Sequence, residues 1–303
     1  MSELRDLVAE ELSQPVDPRV TAIAAGIAAE HGEASRAVLF YGSCLRQQQL
    51  DGLMLDFYLI VSDYRQAYAK RWLAVANRLI PPNVFYFEHG GLVAKYAVLS
   101  ESDFAHECSP DAWNVSTAAR FAQPSRLVWS SDQTAAARVI ETVAAAGPTL
   151  LDWTLPMGAD GDPEDLWKRA FQMTFAAELR AERVDRSATI VDADQTRYYQ
   201  FALCALQEVA RRHPGPDPTR VGFLMNPERM ARWWKRKQLK GRLYTIPRLA
   251  KASLTFAGGA DYIVWKINRH AGTDIQLKPW QRKHPLLAGL SLLPRLLKSG
   301  AVR

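Results

Sequence analysis

The sequence predicts an α/β protein: a mixed sheet with flanking helices, followed by mainly helical chain. Three observations carry that expectation. Short apolar runs at 38–41, 53–61, 84–88, 92–99 and 125–129 read as strands bounded by turn-forming residues. Stretches of 3.6-residue periodicity lie between and after them. Apolar residues make up 48% of the 303, and no segment is low-complexity, so a sizeable core can be buried.

Each element has its own signal. Residues 17–31, DPRVTAIAAGIAAEH, repeat with helical period, with Asp17 as cap and Pro18 in the first turn. Val38 to Tyr41 forms a buried strand that stops at Gly42-Ser43, and Leu53 to Val61 forms a second. Ser62 or Asp63 caps a helix running to Leu79, with Trp72 and Leu73 on its packed side and Pro81-Pro82 as its stop. NVFYFEHGGLVAKYAVLS reads as a hairpin turning at Gly90-Gly91, with Lys95 and Tyr96 on its second strand. A helical stretch over 100–120 leads into the last short strand. Helices follow at 132–146, at 163–182 behind Asp162-Pro163, and at 194–212, where HPGPDP ends the pattern. Two more helix candidates, 248–270 and 284–298, close the chain. The expected division is 1–130 for the sheet domain, 131–228 for a helical or winged-helix domain, and 229–303 for a basic segment.

Charge is divided unevenly. The net charge of +6 hides a C-terminal quarter, 229–303, with 17 Lys or Arg against two acids, Asp261 and Asp274. The remaining 21 bases face 30 acids. An acidic body with a basic end points to a polyanionic partner, either an anionic membrane or nucleic acid. No run reaches the roughly 20 apolar residues needed to span a bilayer. HPLLAGLSLLP, flanked by Lys and Arg, instead suits a helix lying on a membrane surface. Trp233 and Trp234, with five bases between Arg229 and Lys237, read either as interfacial aromatics or as core. Three scattered cysteines (Cys44, Cys108, Cys204) make neither a disulfide framework nor a zinc site, which suits a reducing compartment. The opening MSELRDLVAEELSQP is acidic and amphipathic, unlike a secretory signal or transit peptide.

The chemistry concentrates at Ala37–Val61. An acid inside an apolar strand, Asp56, is costly to bury unless it is paired or holds a metal. Gly42 lets backbone approach a ligand closely, and its N–H with the Ser43 hydroxyl suits phosphate oxygens. The bland readings are an ordinary strand-end turn and a structural carboxylate. Strand, Gly-Ser, then a strand carrying an acid resembles the nucleotidyltransferase superfamily, whose usual second acid two residues on is here Tyr58. Asp51 and Asp63, at strand ends, read as turn and cap residues. The six histidines (His31, His89, His106, His213, His270, His284) lack metal-ligand spacing.

Five blocks sharpen the resemblance. YGSCLRQQ, LDFYLIV, LVAKYAVLS, FAAELRAERVDRSATIV and LTFAGGADYIVWKINR resemble, in order, blocks of the mitochondrial-type phosphatidate cytidylyltransferases, the translocator assembly and maintenance family. That family also has one Asp in the second strand. The match aligns Tyr41, Gly42, Ser43 and Gln48 with its Tyr-Gly-Ser-Gly block, and Lys95 and Tyr96 with Ile-Lys-Tyr-Gly. Glu178 and Arg180 fall on the acid and arginine of Gly-Asp-Phe-Arg. Cys44 replaces the second glycine, Glu178 lengthens the acid, and ARFAQPSR keeps Arg120 and Pro124 but has Ala122 and Gln123 for His and Lys.

The resemblance implies conversion of CTP and phosphatidic acid to CDP-diacylglycerol and pyrophosphate. Asp56 and Glu178 would hold Mg²⁺, with Tyr41, Gly42, Ser43, Gln48 and Arg186 around the nucleotide. Lys95, Arg180 and Arg186 would neutralise phosphate charge. The protein would sit peripherally on an anionic membrane, on the cytoplasmic face of a bacterial inner membrane or the matrix face of the mitochondrial one, with nucleic acid the disfavoured partner. The bland alternatives are a solvated helix face for Glu178 and Arg180 and an edge-strand lysine for Lys95. Two rival functions stand beside this one: a nucleotidyltransferase acting on RNA, protein or a small molecule, and an inactive binding module.

Overall fold

A computed structural model describes residues 3–47, 49–112, 114–157, 162–177, 186–213, 228, 231–241, 248, 251, 268 and 276–283. Its centre is a five-stranded mixed sheet in the order β3-β4-β2-β1-β5. The strands are β1 (Ser35–Tyr41), β2 (Met54–Val61), β3 (Asn83–His89), β4 (Leu92–Ser100) and β5 (Ser125–Ser130). β1 pairs antiparallel with β2 and β5, and β3 with β4, while β2 and β4 run parallel. The hairpin turns at Gly90 and Gly91, both at positive φ (58° and 77°), as a tight β3–β4 connection requires.

Alternation along the strands divides the core into two layers. Val38, Phe40, Leu55, Phe57, Leu59, Tyr96 and Val98 face one way, under α2 (Pro18–Glu30), α4 (Tyr64–Ala67) and α5 (Arg71–Leu79). Leu39, Tyr58, Ile60, Ala97 and Leu99 face the other. That face is covered by α1 (Glu3–Ser13), α6 (Glu101–Glu107), α7 (Ser116–Phe121), α8 (Gln133–Thr154), α9 (Pro163–Ala176) and α11 (Gln195–Arg212). Two short α-helices, α3 (Ser43–Gln47) after β1 and α10 (Arg186–Asp192) after α9, and two 3-10 turns, Gly32–Ala34 and Leu155–Met157, complete the described elements before residue 213. Asp17 caps α2 by accepting from the Arg19 N–H, with Pro18 at the first helical position, as the sequence predicts.

Several expectations shift. The helix expected up to Leu79 breaks into α4 and α5, and Trp72 is 48% exposed, so it is not on the packed side. The buried contacts of α5 come from Ala74 and Asn77, whose amide donates to the Val98 carbonyl at 2.9 Å. The stretch at 100–120 is two helices, α6 and α7, rather than one. α8 continues through Pro148 to Thr154 instead of ending near 146. Burial of Thr149, Leu150, Leu151 and Trp153 outweighs the hydrogen bond that proline removes, and the Thr149 hydroxyl adds a bond to the Cys108 carbonyl at 2.9 Å. α1, α3 and α10 have no counterpart among the expected helices.

The described part of 131–213 is helical. It packs into the same core as α1 and α7 through Trp167, Phe171 and Tyr198, and Arg197 forms a buried ion pair with Glu11. Helical residues 231–241 also join this core. Trp234 is 5% exposed, and the Lys237 ammonium lies 3.6 Å from the Trp153 ring and 4.4 Å from that of Trp233. Trp234 is therefore a core residue, and Trp233 is partly buried against the same cluster. Gly241 closes this stretch against α9: a Cβ there would stand 2.7 Å from the Ala177 carbonyl oxygen. The expected helices at 248–270 and 284–298 fall almost wholly outside the described residues. Among the described residues no helix is long and apolar enough to cross a membrane.

Candidate functional site

Strand register assembles the site. Tyr41 on β1 stands opposite Asp56 on β2, and Asp56 stands opposite Lys95 on β4. Ser125 and Tyr86 extend this row to either side, opposite Tyr41 and Lys95. Directly paired residues project to one face of a sheet, so all five share the side that carries Tyr58 and Leu39. Tyr41 packs on Tyr58 and Phe121, with ring centroids 5.3 and 6.0 Å away, and marks where the core ends. Asp56 lies just beyond it, its side chain 19% exposed.

Lys95 Nζ lies 3.0 Å from Asp56 Oδ1, with the lysine side chain 31% exposed. Its strand is interior to the sheet, between β3 and β2, so the edge-strand reading of Lys95 does not hold. Tyr96, next in sequence, points to the opposite layer. Its hydroxyl donates to Glu30 Oε2 at 2.6 Å and lies 3.1 Å from His31 Nε2, so it braces the α2 side of the sheet.

The turn after β1 closes on the same carboxylate. Gly42 has φ +97°, and a Cβ there would come within 2.9 Å of Asp56 Oδ2. Glycine is needed twice, for the left-handed backbone and for the approach to the acid. Ser43 opens α3, with Cys44 behind it. The Cys44 thiol, pushed up by burial and then by the Asp56 charge, points inward to the Met54 carbonyl at 3.5 Å. Gly42, Ser43, Asp56 and Lys95 therefore form one corner at the end of the sheet. Asp51 and Asp63 are structural, as expected: Asp51 pairs with Arg19 at 3.0 Å, and Asp63 caps α4 through the Arg65 N–H.

Arg46 was not singled out in the sequence. It lies one helical turn beyond Gly42, and its guanidinium donates to Gln123 Oε1 at 3.1 Å. Gln123, one of the departures from the family pattern, is itself anchored by a bond to the Ala119 carbonyl at 2.8 Å. Only its place just after Gly42-Ser43 marks it in the sequence. Arg120 is tied to Ser116 within α7, and the Arg126 guanidinium, half-buried beside Ser125, donates to Gln14 Oε1.

Not every expected residue meets the corner in the description. Gln48, Glu178 and Arg180 lie outside the described residues, and for Arg186 only the backbone, at the start of α10, is described. α9 delivers the chain to Ala177, buried in the core layer on the Asp56 side, immediately before Glu178. Among the described residues no group of three His, Cys, Asp or Glu could hold a metal by itself. The Asp56 corner nonetheless fits one oxygen ligand to Mg²⁺: a partly exposed carboxylate beside a cradle that any side chain at position 42 would fill. Mg²⁺ commonly takes one or two carboxylates and completes its shell with water and substrate phosphates.

No protein-family model matches the chain, and no curated protein matches it. Among solved structures it is similar to a nucleotidyltransferase-like protein from Exiguobacterium sibiricum, over 93% of this chain and 92% of that one, at 10% identity and a TM-score of 0.29. A likeness that weak carries no weight for fold or function.

Proposed function

We propose that the chain is a metal-dependent nucleotidyltransferase, and specifically a phosphatidate cytidylyltransferase acting at a membrane surface. The observation that supports the first part is the corner itself: Asp56 held between Lys95 and the Gly42-Ser43 turn. The five-block sequence resemblance supports the second.

In this reading Gly42 and Ser43 offer backbone N–H groups and a hydroxyl to the β- and γ-phosphates. Asp56, with Glu178 as its partner acid, would hold Mg²⁺, which would supply Lewis-acid polarisation of the triphosphate. The lipid phosphate monoester is the nucleophile. One of its oxygens bonds to the α-phosphorus as the bond to the bridging α–β oxygen breaks, and pyrophosphate carries away the electron pair. The monoester is largely ionised near neutral pH, so no strong general base is needed. Lys95 faces the charge that builds on the departing phosphates, and Arg46, Arg180 and Arg186 are placed by sequence to share it. One preorganised donor of this kind is typically worth about 3 kcal/mol in the transition state.

The basic 229–303 segment supports docking on an anionic membrane, at around 1 kcal/mol per engaged base. Incubation with labelled CTP, Mg²⁺ and either phosphatidic acid vesicles or RNA tests the reading. Label in lipid is expected and should vanish in Asp56→Ala, with vesicle binding intact. Label in RNA or protein would replace the lipid substrate, and no transfer would leave a binding module. Deleting 273–303 should weaken flotation with anionic liposomes more than CTP binding.

A further inference from the structure

We infer that Lys95 is a resident counter-ion for Asp56, released only when a nucleotide arrives with the metal, so that the site resists the free divalent cation and loads metal and triphosphate together. This rests on the nucleotidyltransferase reading and adds an order of binding to it.

Two features carry it. First, Lys95 and Asp56 are register partners on adjacent interior strands, with Nζ 3.0 Å from Oδ1. The sheet fixes both Cα positions, so the ammonium is the default occupant of that oxygen. Second, Oδ2 faces the Gly42 backbone so closely that a Cβ at 42 would stand 2.9 Å away. The carboxylate thus has little freedom to turn away from Lys95 and present both oxygens elsewhere. A divalent ion arriving alone would have to displace that ammonium and repel it, with no anion present to take it up.

A triphosphate changes that balance. Its oxygens add ligands to the metal, and they give the displaced Lys95 ammonium an anionic partner. Metal and nucleotide should then each strengthen the other's binding by the same factor, since coupling between two sites is reciprocal.

The test uses the full chain, with Mn²⁺ as the metal probe read by electron spin resonance, and CTP binding read by calorimetry with and without Mn²⁺. The wild type should bind Mn²⁺ alone weakly, with CTP and Mn²⁺ strengthening each other by about tenfold or more. Lys95→Met should bind Mn²⁺ alone about tenfold more tightly and lose most of the coupling. Lys95→Arg should keep the wild-type suppression of free Mn²⁺. If Lys95→Met fails to fold, the wild-type coupling and Lys95→Arg still decide. Equal Mn²⁺ affinity in wild type and Lys95→Met, or no coupling in a wild type that binds CTP, would overturn the inference while leaving the enzyme reading standing. A wild type that binds neither Mn²⁺ nor CTP with Mn²⁺ would overturn both.

Discussion

Replacing Gly42 by alanine separates the geometry of the corner from ordinary stability. The backbone there sits at φ +97°, where an L side chain is strained by about 1–2 kcal/mol. The added methyl would also stand 2.9 Å from Asp56 Oδ2, so either the turn or the carboxylate must shift by a few tenths of an ångström or more. Gly52 supplies a matched control, because it has φ +71° and nothing within 4 Å of an added Cβ. Gly52→Ala should therefore lose a few degrees in Tm from backbone strain alone, and Gly42→Ala at least as much. Only Gly42→Ala should damage function. Misplacement on the scale of 1 Å is known to cost about 10²-fold, and a loss of 10- to 100-fold in kcat/KM is expected here. Thermal melting and CTP-dependent transfer, measured on both variants, decide the matter. Full activity in Gly42→Ala, or equal loss in Gly52→Ala, would show that the Gly42–Asp56 contact has no part in the chemistry.

Other perturbations have equally definite outcomes. Arg197 and Glu11 form a buried pair, with Arg197 Nη2 3.0 Å from Glu11 Oε1 and a further bond from Arg197 to the Ala122 carbonyl at 3.2 Å. Arg197→Met alone should lower unfolding free energy by about 3 kcal/mol, because it strands a buried carboxylate, and adding Glu11→Leu should restore most of it in chemical denaturation. Burial is the main cause that raises the Glu107 carboxyl to about 7, with Arg248 and Lys237 opposing it and Asp103 adding to it. The folded chain holds that proton more tightly than the unfolded one, so this contribution is complete below about pH 4.5 and disappears as pH rises to 7. Glu107→Gln should flatten that part of the stability–pH curve by up to about 3 kcal/mol, and an unchanged slope would place the loss on other groups. Asp56→Asn keeps the shape of the corner but weakens the partly exposed ion pair with Lys95. It should change stability by under about 1 kcal/mol and abolish transfer.

The corner was legible where its signals are local. Gly42 announces a turn, Asp56 breaks an apolar strand, and period-two alternation puts Asp56 on the side of Tyr58 and Ile60. The Asp56–Lys95 pairing was not, because it depends on a parallel register between strands separated by two helices and a hairpin strand. Arg46 was hidden for a similar reason: its partner Gln123 is 77 positions away. Trp72 misleads because aromatic size suggests burial, whereas the polar Asn77 takes the inner face of α5, donating to the Val98 carbonyl and accepting from the Asn83 N–H. Pro148 hides the length of α8, since the packing that overrides it comes from elements distant in sequence, among them Trp167, whose ring lies 3.2 Å from where a Cβ on Gly147 would be.

The most direct test is diffraction from crystals of the wild-type chain grown with Mn²⁺ and a non-hydrolysable CTP analogue. An anomalous peak is expected about 2.1 Å from an Asp56 oxygen. Triphosphate density should lie over the Gly42-Ser43 turn, with Lys95 Nζ drawn from Asp56 to a phosphate. Nucleotide bound elsewhere, or a metal that leaves the Asp56–Lys95 pair untouched, would contradict this arrangement.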